Sequence, residues 1–221
     1  MDLSPLIISL KTAFVATIIT FFIGIYAANL VVKMKRFKGL IDGIFTLPMV
    51  LPPTVVGFFL LLIFGRNSII GQFLLRFDIS IVFTWTATVI SAAIVAFPLM
   101  YRTTRGAFEQ IDSNLIYAAR TLGMSETKIF WEIIIPNTWS GIAAGTILAF
   151  ARALGEFGAT IMIAGNIKGK TQTMSTAVYS AVQAGDRESA YKWVAIILVI
   201  SFSTIMLMNY WTNQQAKRKQ G

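Results

Sequence analysis

The chain has 221 residues, of which 56% are hydrophobic and 13% charged, and its mean hydropathy is +0.69. This balance excludes an ordinary soluble domain, and the continuous apolar runs, several reaching the about 20 residues a membrane helix needs, exclude the short alternating segments of a β-barrel. Cys and His are both absent, which removes disulfides, thiol nucleophiles and imidazole chemistry and argues against a zinc or haem site.

The net charge of +9 does not point to nucleic acid. The basic residues gather at the ends of apolar runs, a placement suited to lipid head groups and membrane topology. After a short leader, Met1 to Pro5, a first span is expected at about 6–32; it is too long and lacks the basic leader of a cleavable signal peptide. Lys11 near its start lies at an interface or snorkels to one. Lys33, Lys35, Arg36 and Lys38 form the densest basic cluster between spans, which places it in the cytoplasm and the N-terminus outside.

The second span, about 44–64, contains Pro48, Pro52 and Pro53. Proline removes backbone hydrogen bonds, which a bilayer tolerates only where protein or water satisfies the freed groups. Two readings follow: a kinked helix packed among neighbours, or a bend beside a translocation pathway. An outer connection, 65–80, carries Arg66, Arg76 and Asp78, with a short interfacial helix expected over 69–77. The third span, about 81–101, holds Thr84, Thr86, Thr88 and Ser91, with Pro98 near its inner end. Arg102 and Arg105 mark the return to the cytoplasm.

The cytoplasmic stretch 106–136 is the most amphipathic part of the chain. Phe108, Ile111, Leu115, Ala118 and Leu122 recur at helical spacing, predicting one helix that ends near Gly123 with a single apolar face. Gly123 suits the left-handed position that closes such a helix, and Ser125 caps a second one with Glu126 in its first turn. Pro136 stands where a membrane helix can begin. The outcome is a helix–turn–helix hairpin at the membrane surface, suited to docking a soluble partner.

A fourth span is expected at about 138–164, where Gly141, Gly145, Ala149 and Ala153 form a small-residue stripe for close helix contact. The outer segment 166–191 includes an amphipathic stretch at 174–184. The last span, about 193–210, is flanked by Trp193 and Trp211 as an aromatic belt, and the tail Lys217, Arg218 and Lys219 lies inside. The chain thus reads as a single all-α membrane domain of about five spans. Of its 19 Lys and Arg residues, 11 fall inside, seven outside, and Arg152 within a span.

Arg152 and Glu156 are the one ionisable pair deep in a span, spaced i, i+4. A lone charge there costs at least about 2.5 kcal/mol, so the two must pair or face water. They either fix helix packing or border the pathway. With no His or Cys and one buried carboxylate, the spans cannot assemble a catalytic centre. A phosphate-binding G-x-x-x-x-G-K-[ST] loop is also absent from the sequence. One Glu is too few for proton coupling, so the energy source is best sought in a separate motor subunit.

The hairpin resembles the cytoplasmic loop of permease subunits from binding-protein-dependent ABC importers, with the pattern E-A-A-x3-G-x9-I-x-L-P. Ala118, Ala119, Gly123, Ile133 and Pro136 fall at matching positions, with Ile135 for the Leu and Tyr117 for the leading Glu. The stretches TLPMVLPPTVVGFFLLLIFGRNSIIG, AFPLMYRTTRGAFEQID and LAFARALGEFGATIMIAGNIKGKTQT, followed by Ser175 to Tyr179, are similar to the molybdate importer permeases. Sulfate and tungstate permeases share much of the RALGEFGA region.

The resemblance implies a type I importer permease fold in a prokaryotic plasma membrane and a non-catalytic homodimer. Its implied partners are two cytoplasmic ATP-binding cassette subunits, which bind ATP-Mg, and an extracytoplasmic molybdate-binding protein; the chain itself would hold no cofactor. Ala118, Ala119, Gly123, Met124, Ser125, Glu126 and Pro136 would form the ATPase coupling element. A tetrahedral oxyanion should meet hydroxyls and backbone donors along its path, so Thr84, Thr88, Ser91, Thr146 and Thr160 are pathway candidates beside Pro52, Pro98, Arg152 and Glu156. Such hydroxyls also commonly bond their own backbone. The same architecture for tungstate or sulfate is the alternative, and a scaffold or receptor docking a signalling protein is the reading from another class.

Overall fold

The computed structural model describes residues 2–218, and side chains up to residue 207. Trp211 and the Lys217, Arg218 and Lys219 cluster therefore lie outside the described side chains. No strand occurs among the described residues, and four helices are long and apolar enough to cross a membrane, or five counting one bent pair.

The first helix, α1 (Ser4–Lys33), opens on Pro5, whose missing N–H costs nothing in a first turn. It turns a face of small residues, including Ala13, Ala16, Ala27 and Ala28, inward. Phe14, Phe22 and Tyr26 on its other sides stay exposed, as expected where lipid replaces water. The predicted second span is two helices, α2 (Lys38–Val50) and α3 (Pro53–Phe64), bent by 110°. Pro52 and Pro53 supply no N–H to carry the ladder across the break, so a sharp bend replaces a modest kink. A short α4 (Ile69–Leu75), capped by Ser68, lies on the connection that follows.

At the centre stands α5 (Trp85–Glu109), packed against α1, α2, α3 and the first two helices that follow the hairpin. The predicted single helix through 108–122 is interrupted, because Asp112 caps a separate α6 (Ser113–Thr121) by accepting from the Asn114 N–H at 2.9 Å. Of the expected apolar face only Phe108 is buried, whereas Leu115 and Leu122 are 49% and 81% exposed. After Gly123 comes α7 (Glu126–Ile129), then a π-turn (Phe130–Ile134), then α8 (Ile135–Leu154).

Pro136 lies in the first turn of α8, as expected, but helical backbone also precedes it. The rod runs from Glu126 to Leu154 through the π-turn, whose wider hydrogen bonding absorbs the missing proline donor. The small-residue stripe on α8 packs on α5 of the same chain. A Cβ at Gly141 would stand 2.5 Å from that of Ala107, and one at Gly145 3.2 Å from Met100 Sδ.

The predicted fourth span also breaks. Following α8, Gly155 to Phe157 interrupt the helix before α9 (Gly158–Ala164). Then α10 (Met174–Gln183) is started by a Thr173–Thr176 capping box, and α11 (Arg187–Arg218) packs against it. Trp193, expected in an interfacial belt, is instead 6% exposed within the core.

Candidate functional site

Two regions are positioned for function: the hairpin around Gly123 and a paired set of helix breaks. In the hairpin, Gly123 takes φ +76, and the Met124 N–H donates to the Ala119 carbonyl at 3.1 Å, the long-range bond of a glycine-terminated helix. Ser125 Oγ accepts from the Lys128 N–H at 3.3 Å. Across the turn, Arg120 Nε and Nη2 donate to Glu126 Oε1 and Oε2 at 2.7 and 3.2 Å. That bidentate clamp holds the Arg120 guanidinium above its ordinary pKa. Pattern reading missed the clamp, because the partners lie six residues apart across a turn.

Ala119 and Ile129 are buried, while Ala118, Gly123, Ser125 and Glu126 are exposed and Met124 is half-buried. Tyr117, Leu122 and Trp131 expose 60%, 81% and 63% of their surface, so the hairpin presents an uncovered apolar face. Beneath it lies a cavity of about 560 Å³ lined by Arg102, Gln110, Asp112, Asn137 and Ser140, among others.

The two breaks meet inside the protein. A Cβ at Gly158 would stand 3.0 Å from Pro53 Cβ, and one at Gly57 only 2.7 Å from the Ala159 carbonyl oxygen. These glycines therefore let α3 and α9 touch backbone to backbone, with Pro52 exposed at the bend. Glu156 is not on α8, as the i, i+4 spacing suggested, but just beyond its end. Its Oε2 lies 2.7 Å from Arg152 Nη1, and its Oε1 accepts from the Ala159 N–H at 2.8 Å. One carboxylate, 2% exposed, thus joins the last turn of α8 to the first turn of α9.

The candidate hydroxyls are largely committed. Thr88 Oγ1 bonds Thr12 Oγ1 at 2.9 Å, tying α5 to α1, and Ser91 Oγ bonds Thr160 Oγ1 at 2.9 Å, tying α5 to α9. Thr84, Thr88, Ser91 and Thr146 also donate to backbone carbonyls three or four residues earlier, at 2.5, 2.7, 3.0 and 2.8 Å. Thr88, Ser91 and Thr160 are buried, as is Pro98. In this conformation they fasten helices together instead of lining open space.

A second polar group went unread in the sequence. Arg105 Nη1 pairs with Asp42, its Nε donates to Glu109 Oε1 at 2.9 Å, and Lys38 Nζ reaches that same oxygen at 2.8 Å. Tyr101 Oη donates to Asp42 Oδ1 at 3.0 Å. This network holds α2, which has no fully buried residue of its own, against α5.

The chain is thus a long apolar bundle with an exposed hairpin and broken spans. The family model described as the binding-protein-dependent transport system inner membrane component matches residues 20–218. The chain belongs to that family. It is therefore a multi-pass membrane permease subunit of a transport system and not an enzyme.

Among relatives, the molybdenum transport system permease ModB of Haemophilus influenzae is 39% identical over 223 residues, covering 100% of this chain and 97% of that one. ModB of Escherichia coli K12 is 40% identical over 217 residues, covering 97% and 95%. The sulfate transport system permease CysT of Salmonella typhimurium is 33% identical and covers 97% of this chain but 78% of its own. The fold matches a chain of the inward-facing MetNI methionine ABC transporter with a TM-score of 0.75 at 14% identity, covering 95% and 94% of the two chains. A bacterial ABC transporter importing alginate gives 0.77 at 14% identity, covering 96% and 79%.

Proposed function

We propose that this chain is the permease subunit of an ATP-driven importer that carries molybdate across the cytoplasmic membrane. It works as a homodimer with two cytoplasmic ATPase subunits, which bind ATP-Mg, and an extracytoplasmic molybdate-binding protein. The observation that carries the substrate assignment is the near full-length likeness to two molybdenum permeases, set against the lower identity and partial coverage of the sulfate permease.

Ala118, Ala119, Gly123, Met124, Ser125 and Glu126 form the surface that enters a groove on the ATPase, with the N-terminus outside and the hairpin inside. Closure of the ATPase dimer on ATP displaces the hairpin. Because the rod from Glu126 to Leu154 is continuous past Pro136, that displacement passes into the membrane as a rigid-body movement. At its far end the Arg152–Glu156 pair hands the motion to α9, which bears on the Pro52 bend through Gly57 and Gly158. The oxyanion path follows this moving boundary. Thr84, Thr88, Ser91, Thr146, Thr160 and Pro98 support it from within the bundle. ATP shifts the populations of two states only to the extent that it binds one better, so the hairpin must dock differently in each.

The test is uptake of radiolabelled molybdate by cells lacking their own molybdate permease and supplied with this chain and its partners. Uptake that unlabelled molybdate suppresses more strongly than sulfate or tungstate is expected. Stronger suppression by sulfate or tungstate moves the assignment to that oxyanion, and no uptake of any of the three overturns it.

A further inference from the structure

A cavity of about 570 Å³ lies under α4, and of the pathway candidates only Thr84 reaches it. Its walls are mostly apolar: Leu61, Phe64, Leu74, Ile81, Val82 and Phe83 all contribute. Two cations, Arg66 and Lys170, also line it, with the hydroxyl residues Ser80 and Thr84. Among the described residues neither cation lies within ion-pair distance of a carboxylate.

The walls are built and do not result from a loose loop. Gly71 packs so tightly on the end of α3 that a Cβ there would stand 2.0 Å from the Gly65 carbonyl oxygen. Ser68 Oγ donates to the Ile63 carbonyl at 2.5 Å and accepts from the Gly71 N–H at 2.8 Å, fixing the α3–α4 corner. On the opposite side Phe83 has φ 60, a left-handed conformation that a bulky residue rarely adopts. It is held there by its N–H donating to the Ile163 carbonyl at 3.1 Å and by its ring lying over Gly165.

The sequence reading places the connection that carries α4 at an interface, where a bilayer meets water. Ile69, Phe73 and Phe77 expose 90%, 57% and 63% of their surface around α4, an apolar exterior that suits lipid. An apolar crevice with two unpaired cations on its lining, beside an interfacial helix, complements one kind of occupant. That occupant has a hydrocarbon part for the walls and an anionic phosphate for Arg66 and Lys170. The volume lies in the range of about 300–1,000 Å³ typical of small-ligand pockets. We infer that this cavity is a binding site for an anionic phospholipid, its phosphate between Arg66 and Lys170. A free tetrahedral oxyanion shares the phosphate's charge chemistry but gains nothing from the apolar walls.

The experiment uses the complete permease–ATPase complex in nanodiscs of phosphatidylcholine mixed with phosphatidylglycerol, followed by delipidation in neutral detergent and native mass spectrometry. The wild-type complex should retain phosphatidylglycerol over phosphatidylcholine. Each basic residue near an anionic lipid surface contributes about fivefold in affinity, so Arg66→Gln with Lys170→Gln should weaken retention about 25-fold. Arg66→Lys should keep most of it, and Arg76→Gln, whose side chain does not line the cavity, should leave it unchanged. No preference in the wild type overturns the assignment, and that measurement needs no variant to fold. Equal retention by the double variant, equal loss in Arg76→Gln, or displacement of the lipid by free molybdate also overturns it.

Discussion

Gly123 combines a backbone φ of +76 with open space where a Cβ would sit. A side chain there meets no neighbour within the chain, and Asp is among the residues that tolerate the left-handed region. Gly123→Asp should therefore insert and fold normally yet lose ATP-driven uptake, because its new bulk and charge project only toward a docked partner. Measurement of membrane level beside uptake checks this, and wild-type uptake would remove the hairpin from the coupling surface. Arg152 and Glu156 invite a different comparison. Glu156 is 2% exposed and Arg152 31%, so deleting the arginine strands a buried carboxylate, at about 3–5 kcal/mol, whereas deleting the carboxylate leaves an arginine that still reaches water. Arg152→Gln should lower the Tm of the detergent-purified permease more than Glu156→Gln does, with the double variant recovering part of the loss. The opposite order would show that Glu156 is stabilised by something other than its ion pair.

Among the longer helices, α2 is held with little burial. It buries no residue completely, and its attachment to α5 rests on Phe45 against Phe97 and Tyr101 and on the Asp42–Arg105–Glu109–Lys38 network. Half-exposed ion pairs are individually weak, but a connected group that fixes Arg105 in a fork has more effect than its members separately. Asp42→Asn should accelerate hydrogen exchange across Lys38–Val50 while leaving α1 and α5 protected. Unchanged exchange in α2 would mean that the aromatic contacts alone hold it. The rod from Glu126 to Leu154 behaves oppositely. Its π-turn accommodates Pro136 without a break, so the second half of the hairpin is continuous with the membrane helix.

At the scale of the molecule, many large apolar side chains remain uncovered, including Phe58, Phe59 and Leu62 on α3 and Leu198, Val199 and Phe202 on α11. Lipid accounts for such surfaces in a bilayer, and a second copy of the chain would cover some of them. The proposed assembly predicts that the solubilised complex contains two copies of this chain and two ATPase chains by native mass spectrometry. A particle with one permease copy would refute the homodimer.

Composition and continuous apolar runs by themselves determined the class, because about 20 apolar residues in sequence have few places to go except a membrane. Local patterning also determined the left-handed Gly123 and the Ser125 cap, which depend on residues within one turn of each other. The Tyr117 to Pro136 stretch carried the resemblance to importer permeases as a superfamily, and the longer similar stretches narrowed it. The tertiary structure decided what depends on partners distant in sequence. The 110° bend at Pro52 and the break at Gly155 bring α3 and α9 together through Gly57 and Gly158, and hydropathy reports apolarity without reporting direction. The candidate hydroxyls looked available in the sequence but are bonded across α1, α5 and α9 in the fold. Glu156 looked like a member of one helix, yet it joins two. In each case the sequence supplied the chemical group, and its role was set by which backbone or side chain the fold brought within reach.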